Sequence, residues 1–319
     1  MMPSPEKKVS KIVISTALGP DGRGIFPYTI LPGYRRLLRT VRDTRTTVLT
    51  KSATRFKRIG NFVAWNPLTW NYIRRLPNLG MLNAYGLTNE GAEVCADMIK
   101  VAADLGFQVI PNFYPEFAKG ADTAIQETLA AIDIYRKTLG PHLGALELNF
   151  SCPNAAEEIR ENVAQGLKTV QAVRERFSSL YLIAKISICH PYEFAQELEK
   201  SGVNAIHGIN TIPYAVLYPE DRYPRSPLWQ VGGGGVSGGP AFAEAFAYNA
   251  GLRKKVGLFL IMGCGVTCAE DVKRYLDLGA DAVSFCTLAL RNPREAEKII
   301  TTPFPERREK QLRPEELRQ

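Results

Sequence analysis

Eight short apolar runs, each followed by a longer stretch with helical spacing, constrain this 319-residue chain more than any other feature. The candidate strands are 11–16, 46–51, 108–113, 144–149, 180–186, 205–210, 257–262 and 281–285. Helical candidates fall at 33–40, 89–105, 118–139, 157–177, 192–201, 240–254, 268–278 and 293–300. This alternation argues for a parallel sheet covered by helices, an α/β fold. Leu180-Tyr181-Leu182-Ile183-Ala184 is apolar on both faces, as a strand covered on both sides must be. Thr267, ahead of Glu270 and Asp271, predicts a Thr-capped helix start, and Gly279 marks that helix's end. A doubly wound sheet would alternate similarly. The count of eight, with polar residues closing nearly every run, favours a (β/α)8 TIM barrel, whose βα loops build the site on one face.

Long insertions follow the second and sixth strands, at 52–88 and 211–238, and loops of that length in a compact domain usually serve function. Each carries aromatic residues (Phe56, Phe62, Trp65, Trp70 and Tyr72; Tyr214, Tyr218, Tyr223 and Trp229), which argues against plain linkers. The expectation is one barrel domain over 1–319, with 1–8 and 304–319 as flexible tails.

A formal charge of +8 raises the question of nucleic acid, but the basic residues are scattered and no aromatic-interleaved basic motif occurs. A mild positive field that draws in anionic small molecules is the simpler reading. The six cysteines form no CxxC pair and no secreted framework, so no metal or iron–sulfur site is expected. Neither a signal-peptide pattern nor an apolar run of about 18 residues is seen, which points to a cytoplasmic protein without membrane contact.

The most specific chemical signal is Glu147-Leu148-Asn149-Phe150-Ser151-Cys152-Pro153-Asn154, which closes the fourth strand. It brings two carboxamides and a thiol to the expected barrel mouth. Amides both donate and accept, which suits a ring of alternating C=O and N–H groups. Lys51-Ser52 ends the second strand, Lys185 the fifth and Asn210-Thr211 the sixth. Further along lie Asn83-Ala84-Tyr85-Gly86-Leu87-Thr88-Asn89-Glu90-Gly91, Gly233-Gly234-Gly235-Val236-Ser237-Gly238, Gly265-Val266 and Thr287.

In this order the fragments resemble the dihydroorotate dehydrogenase family, in its soluble cysteine-type branch, over nearly the whole chain. The resemblance implies an FMN-dependent oxidoreductase that converts dihydroorotate to orotate in pyrimidine synthesis, with Cys152 as the base and hydride passing to flavin N5. It implies FMN contacts from Ala17, Lys51, Ser52, Asn112, Asn149, Lys185, Asn210, Gly238, Cys264, Gly265, Cys286 and Thr287. Lys185 would stabilise negative charge on the reduced ring, and the loops after strands seven and eight would take the phosphate. Substrate contacts are implied for Lys51, Asn83, Gly86, Leu87, Asn149, Asn154, Asn210 and Thr211. A soluble electron acceptor or partner subunit is implied, and a homodimer.

The sequence departs from the family pattern at Cys264 and Cys286, where glycines are usual, and at Tyr85, often a smaller residue. The segment 155–161 is acidic and helical in place of a Gly/Pro-rich lid. An alternative is therefore a relative that acts on another cyclic amide, such as a dihydropyrimidine. A sugar-phosphate isomerase on this fold would need a Glu or His base at a strand end. None of His142, His190 and His207 is well placed for that role: His142 precedes a strand and His207 lies within one.

Overall fold

A computed structural model describes residues 8–151 and 156–305. Strands β1 (Ile12–Ser15), β2 (Thr47–Leu49), β5 (Gln108–Ile110), β6 (Asn112–Phe113), β7 (Leu146–Asn149), β8 (Leu182–Lys185), β9 (Ala205–Gly208), β12 (Phe259–Gly263) and β13 (Ala282–Phe285) form one sheet, with neighbours all parallel. Its order is β5-β2-β1-β13-β12-β9-β8-β7-β6. The two end segments are halves of one strand split at Pro111, which has no N–H to give to a ladder. The first half pairs with β2 and the second with β7, so eight staves close into a barrel. All eight sequence-predicted strands are present, with ends within two residues of those expected, β12 running one residue further, to Gly263.

Helices α1 (Pro32–Asp43), α2 (Ala92–Asp104), α3 (Ala121–Leu139), α4 (Ala156–Arg176), α5 (Tyr192–Lys200), α7 (Phe242–Lys255), α8 (Ala269–Asp277) and α10 (Pro293–Thr301) cover the outside. Two short helices were not anticipated, α6 (Tyr214–Leu217) and α9 (Thr287–Arg291). In α1 the apolar stripe Tyr34, Leu37 and Val41 is fully buried, while Arg35, Arg36, Arg39 and Arg42 stay on the solvent side. That accounts for the densest basic run as a solvated helix face. The start of α8 differs from expectation: Cys268 is the N-cap, without a side-chain bond. Instead the Asp271 carboxylate reaches back and accepts from the Thr267 N–H at 2.9 Å and hydroxyl at 2.7 Å.

Side chains alternate across each barrel strand, which divides the core in two. The outward set, including Ile12, Ile14, Val48, Leu146, Leu148, Leu182, Ile206 and Val283, packs under the helices. The inward set, Val13, Leu49, Ile110, Ala145, Ile183, Ala205, Ile261 and Ala282, plugs the barrel interior. Each such leucine, isoleucine or valine stabilises the fold by about 1.5–3 kcal/mol relative to exposure.

The two long insertions are not loops throughout. β3 (Ile73–Leu76) and β4 (Gly80–Asn83) come from the first, β10 (Ile212–Pro213) and β11 (Gly235–Ser237) from the second. They form one antiparallel sheet in the order β10-β11-β4-β3. Leu82, Leu228 and Val236 make its small core, with Tyr72, Tyr214 and Tyr218 packed against them, so these insert aromatics are structural. Gly235 is required here, because a Cβ would lie 2.1 Å from the Thr211 hydroxyl oxygen. Among the described residues no helix is long and apolar enough to cross a membrane.

Candidate functional site

One step of two residues toward the C-terminal end turns the barrel interior from apolar to polar. Val13 is followed by Ser15, Ile110 by Asn112, Ala145 by Glu147, Ile183 by Lys185, Ala205 by His207 and Ala282 by Ser284. All six polar side chains are buried. They bond to one another, as buried polar groups generally do, although the Asn112 side-chain oxygen has no partner among the described residues. His207 Nδ1 lies 2.6 Å from a Glu147 carboxylate oxygen and Nε2 lies 2.7 Å from the Ser284 hydroxyl. The other Glu147 oxygen accepts from the Asn112 amide, and Lys185 donates to the Ser15 hydroxyl at 3.2 Å. Burial pushes the His207 imidazole below its ordinary pKa, so it is neutral at pH 7. Burial alone would raise Glu147, but the contacts with His207, the charge of Lys185 and the bond from Asn112 outweigh it and hold the carboxyl below its ordinary range.

Above this layer a cavity of about 430 Å³ opens between the strand ends and the inserted sheet. That is within the usual range for a small-molecule site. A chain of hydrogen bonds crosses its wall: Asn149 donates to the Ser52 hydroxyl at 2.8 Å and accepts from the Ser151 N–H at 3.1 Å, and Asn210 donates to the Ser151 hydroxyl at 2.8 Å. Asn83 donates to the Gly235 carbonyl at 3.3 Å across the inserted sheet.

Three cationic side chains line this cavity, Lys51, Arg58 and Lys185. Arg58 is spent on Glu116, at 2.9 Å, whereas neither lysine forms an ion pair among the described residues. The Lys51 ammonium lies over the Tyr85 ring, 3.4 Å from its centroid. Burial, reinforced by repulsion from Lys185 and opposed by Cys286, pushes Lys51 down to about 8. A site with two unpaired lysines and a ring of amides is built for an anionic, hydrogen-bonding guest.

Comparison with known proteins identifies the chain. The family described as dihydroorotate dehydrogenase matches residues 39–302. The chain belongs to the dihydroorotate dehydrogenase family. It is similar to the dihydroorotate dehydrogenase B (NAD(+)) catalytic subunit of Oceanobacillus iheyensis, at 29% identity over 77% of this chain and 76% of that one. The protein of the same description from Halalkalibacterium halodurans is 27% identical over 69% and 70%. That from Thermodesulfovibrio yellowstonii is 28% identical over 69% and 71%. Membership makes the chain an oxidoreductase of the class acting on CH–CH donors.

Against the family pattern, Lys51, Ser52, Asn83, Gly86, Leu87, Asn149, Lys185, Asn210, Thr211, Gly238, Cys264, Gly265, Cys286 and Thr287 all line the one cavity. Ala17 and Asn112 do not. Ala17 is fully buried and its carbonyl accepts from the Tyr34 hydroxyl, while the Asn112 side chain is fully buried with its amide nitrogen spent on Glu147. Cys152 and Asn154 lie outside the described residues. His207 was not among the expected site residues, yet its ring lines the cavity floor. Stepping by two from Ala205 along the inward face would have placed it there.

The two cysteines at family glycine positions are accommodated. Cys264 takes a left-handed backbone, φ +71°, the conformation that a glycine there would adopt. The Tyr275 hydroxyl holds that turn through the carbonyls of Gly263, at 3.1 Å, and Cys264, at 2.9 Å. Gly265, at φ +90°, must stay a glycine, because a Cβ would lie 2.3 Å from the Phe242 backbone. The Cys286 thiol accepts from the Thr16 hydroxyl at 3.3 Å, and Thr287 is bonded to Ser237 at 2.7 Å, which ties the eighth stave to the inserted sheet.

Proposed function

We propose that this chain oxidises dihydroorotate to orotate with FMN held in the barrel cavity. The observation that carries this reading is the pair of lysines, Lys51 and Lys185, facing one cavity with no ion-pair partner among the described residues. FMN would supply an acceptor for the hydride leaving the substrate ring. Lys185, Ser52, Asn149 and Asn210 would hold its ring and ribityl chain. Backbone groups of Gly238, Cys264, Gly265, Cys286 and Thr287 would hold its phosphate. The left-handed turn at Cys264 supports this, since it gives the backbone course that a glycine would take there.

Lys51 would bind the substrate carboxylate, and Asn83, Asn149, Asn154, Asn210 and Thr211 would read the ring's N–H and C=O groups, with the backbone of Gly86 and Leu87. Amides left unpaired by a wrong ring give such a pocket strong discrimination. Cys152, one residue beyond the Asn149–Ser151–Asn210 bonds, would remove the proton from the carbon beside the one that loses hydride. The relatives are described as catalytic subunits, and by that likeness electrons would pass to a separate partner protein.

The purified protein should be yellow with FMN absorbance, and anaerobic dihydroorotate should bleach it within seconds. A colourless protein that takes up no FMN would end this reading. Bleaching by a neutral dihydropyrimidine but not by dihydroorotate would transfer it to the other cyclic amide. Cys152→Ser should keep the colour while slowing the bleaching by about 10²-fold or more, the usual worth of a positioned base.

A further inference from the structure

Glu147 is an unusual residue to find under a cavity whose walls carry cations. It is fully buried, it touches no solvent, and the sequence-based reading of the site gave it no task. Its carboxylate is held from two sides, by His207 on β9 and by Asn112 on β6, and His207 is in turn fixed by Ser284 on β13. The arrangement ties four staves around one negative charge. Among the described residues, the permanent charge that acts on it is Lys185, the lysine at the end of the adjacent strand β8. In a low-dielectric interior such a pair interacts far more strongly than at the surface.

We infer that Glu147 is the fixed counter-charge to Lys185, a positioning residue that limits how far the cavity floor stabilises negative charge on its guest. This rests on the proposed FMN. Reduction places negative charge on the flavin ring, Lys185 favours it and Glu147 opposes it. The Lys185–Glu147 balance therefore sets the reduction potential of the bound flavin, with the neutral His207 ring between carboxylate and cavity as the spacer.

Replacing Glu147 by glutamine separates charge from shape. The introduced amide can donate to His207 Nδ1 and still accept from Asn112, while the other tautomer of His207 donates to Ser284, whose hydroxyl rotates to suit. The network survives and only the charge is lost. At a fixed redox poise the ratio of reduced to oxidised flavin should rise at least tenfold in Glu147→Gln, a shift of about +30 mV for a two-electron couple. His207→Leu should shift the potential in the same direction, because a buried carboxyl stripped of its imidazole takes up a proton. His207→Gln keeps both a donor and the charge and should leave the ratio within about threefold of the parent, well short of the tenfold step that marks a lost charge.

The measurement is a spectroscopic redox titration of the flavin-loaded protein. A smaller or opposite shift in Glu147→Gln overturns the inference while leaving the proposed function standing, and so does an equal shift in all three variants. If Glu147→Gln does not fold, His207→Leu against His207→Gln decides alone. A parent protein that holds no flavin overturns both the inference and the reading beneath it.

Discussion

Lys51 and Tyr85 are joined face to point, the ammonium 3.4 Å from the ring centroid. The contact brings together the end of the second stave and the inserted segment, and it uses a residue at which this chain departs from the family pattern. Tyr85 is itself fixed, packed on Phe62 with ring centroids 4.9 Å apart, and its carbonyl accepts from the Asn61 and Phe62 N–H groups. Lys51 is thus a half-buried cation with an aromatic face in place of a carboxylate.

The first consequence is a pH dependence. Lys51 is pushed down to about 8, chiefly by burial. Only its protonated form attracts an anion, so orotate affinity should be level below pH 7 and fall above pH 8, by about tenfold per pH unit until the bound-state pKa is passed. Titrating orotate into the protein from about pH 6 to about pH 10, a window that brackets this ammonium, reads the slope directly. Lys51→Met should bind weakly with no such slope. A parent profile that stays flat across that whole range would show that this ammonium does not meet the anion.

Tyr85 shapes the same profile. A cation over an aromatic face gains about 1 kcal/mol, equivalent to about 0.7 of a pKa unit. Tyr85→Leu, which keeps the site apolar, should therefore move the midpoint of orotate binding down by about that amount. Affinity near pH 6 should hardly change, and near pH 9 it should drop several-fold. Equal losses at both values would mean that the ring acts by shape alone.

Tyr275 offers a test at the other end of the cavity. Its hydroxyl serves the carbonyls of Gly263 and Cys264 and so holds the left-handed turn at Cys264. Tyr275→Phe removes the hydroxyl from the Cys264 carbonyl, while the Gly263 carbonyl keeps the Asn249 amide, at a cost of about 1–3 kcal/mol. Thermal unfolding should shift down, and FMN retention on dilution should fall, because the turn is a proposed phosphate support. A variant less stable but with unchanged FMN retention would remove the turn from the cofactor's contacts.

The barrel was legible because alternating apolar runs and helical stretches carry the fold in local pattern, and every expected strand lies where the sequence placed it. The inserted sheet was not. Its strands are two to four residues long, β3 reads Ile73-Arg74-Arg75-Leu76, and β4 finds its partner β11 far along the chain, so neither periodicity nor length announces it. Site residues at strand ends, such as Lys51, Lys185 and Asn210, could be read from their place after apolar runs. Glu147, His207 and Ser284 could not be read that way because they sit inside strands, where a polar residue is normally discounted. Their inward parity with Ala145, Ala205 and Ala282 was the available signal.

His190 predicts where the fold fails in acid. It sits in the turn after β8, buried, with Nδ1 accepting from the Ser187 N–H at 3.0 Å and Nε2 facing the Asn162 side-chain oxygen at 3.1 Å. Because Nδ1 accepts, the proton of the neutral ring is on Nε2 and both partners are satisfied without charge. Burial pushes this histidine down to about 4 from an ordinary 6.5. Between those values the unfolded chain binds the proton and the folded one does not, so stability rises with pH across the window. Its contribution is fully present above pH 6.5 and is lost as pH falls toward 4, a total of about 3 kcal/mol. Urea unfolding of the parent at about pH 7 and about pH 4.5 should show most of that loss. His190→Asn is less stable at neutral pH through lost packing on Phe194, but the part of the slope between pH 6.5 and 4 that belongs to this imidazole should vanish from it. If parent and variant lose stability equally over that interval, acid sensitivity arises elsewhere and His190 is protonated in the fold.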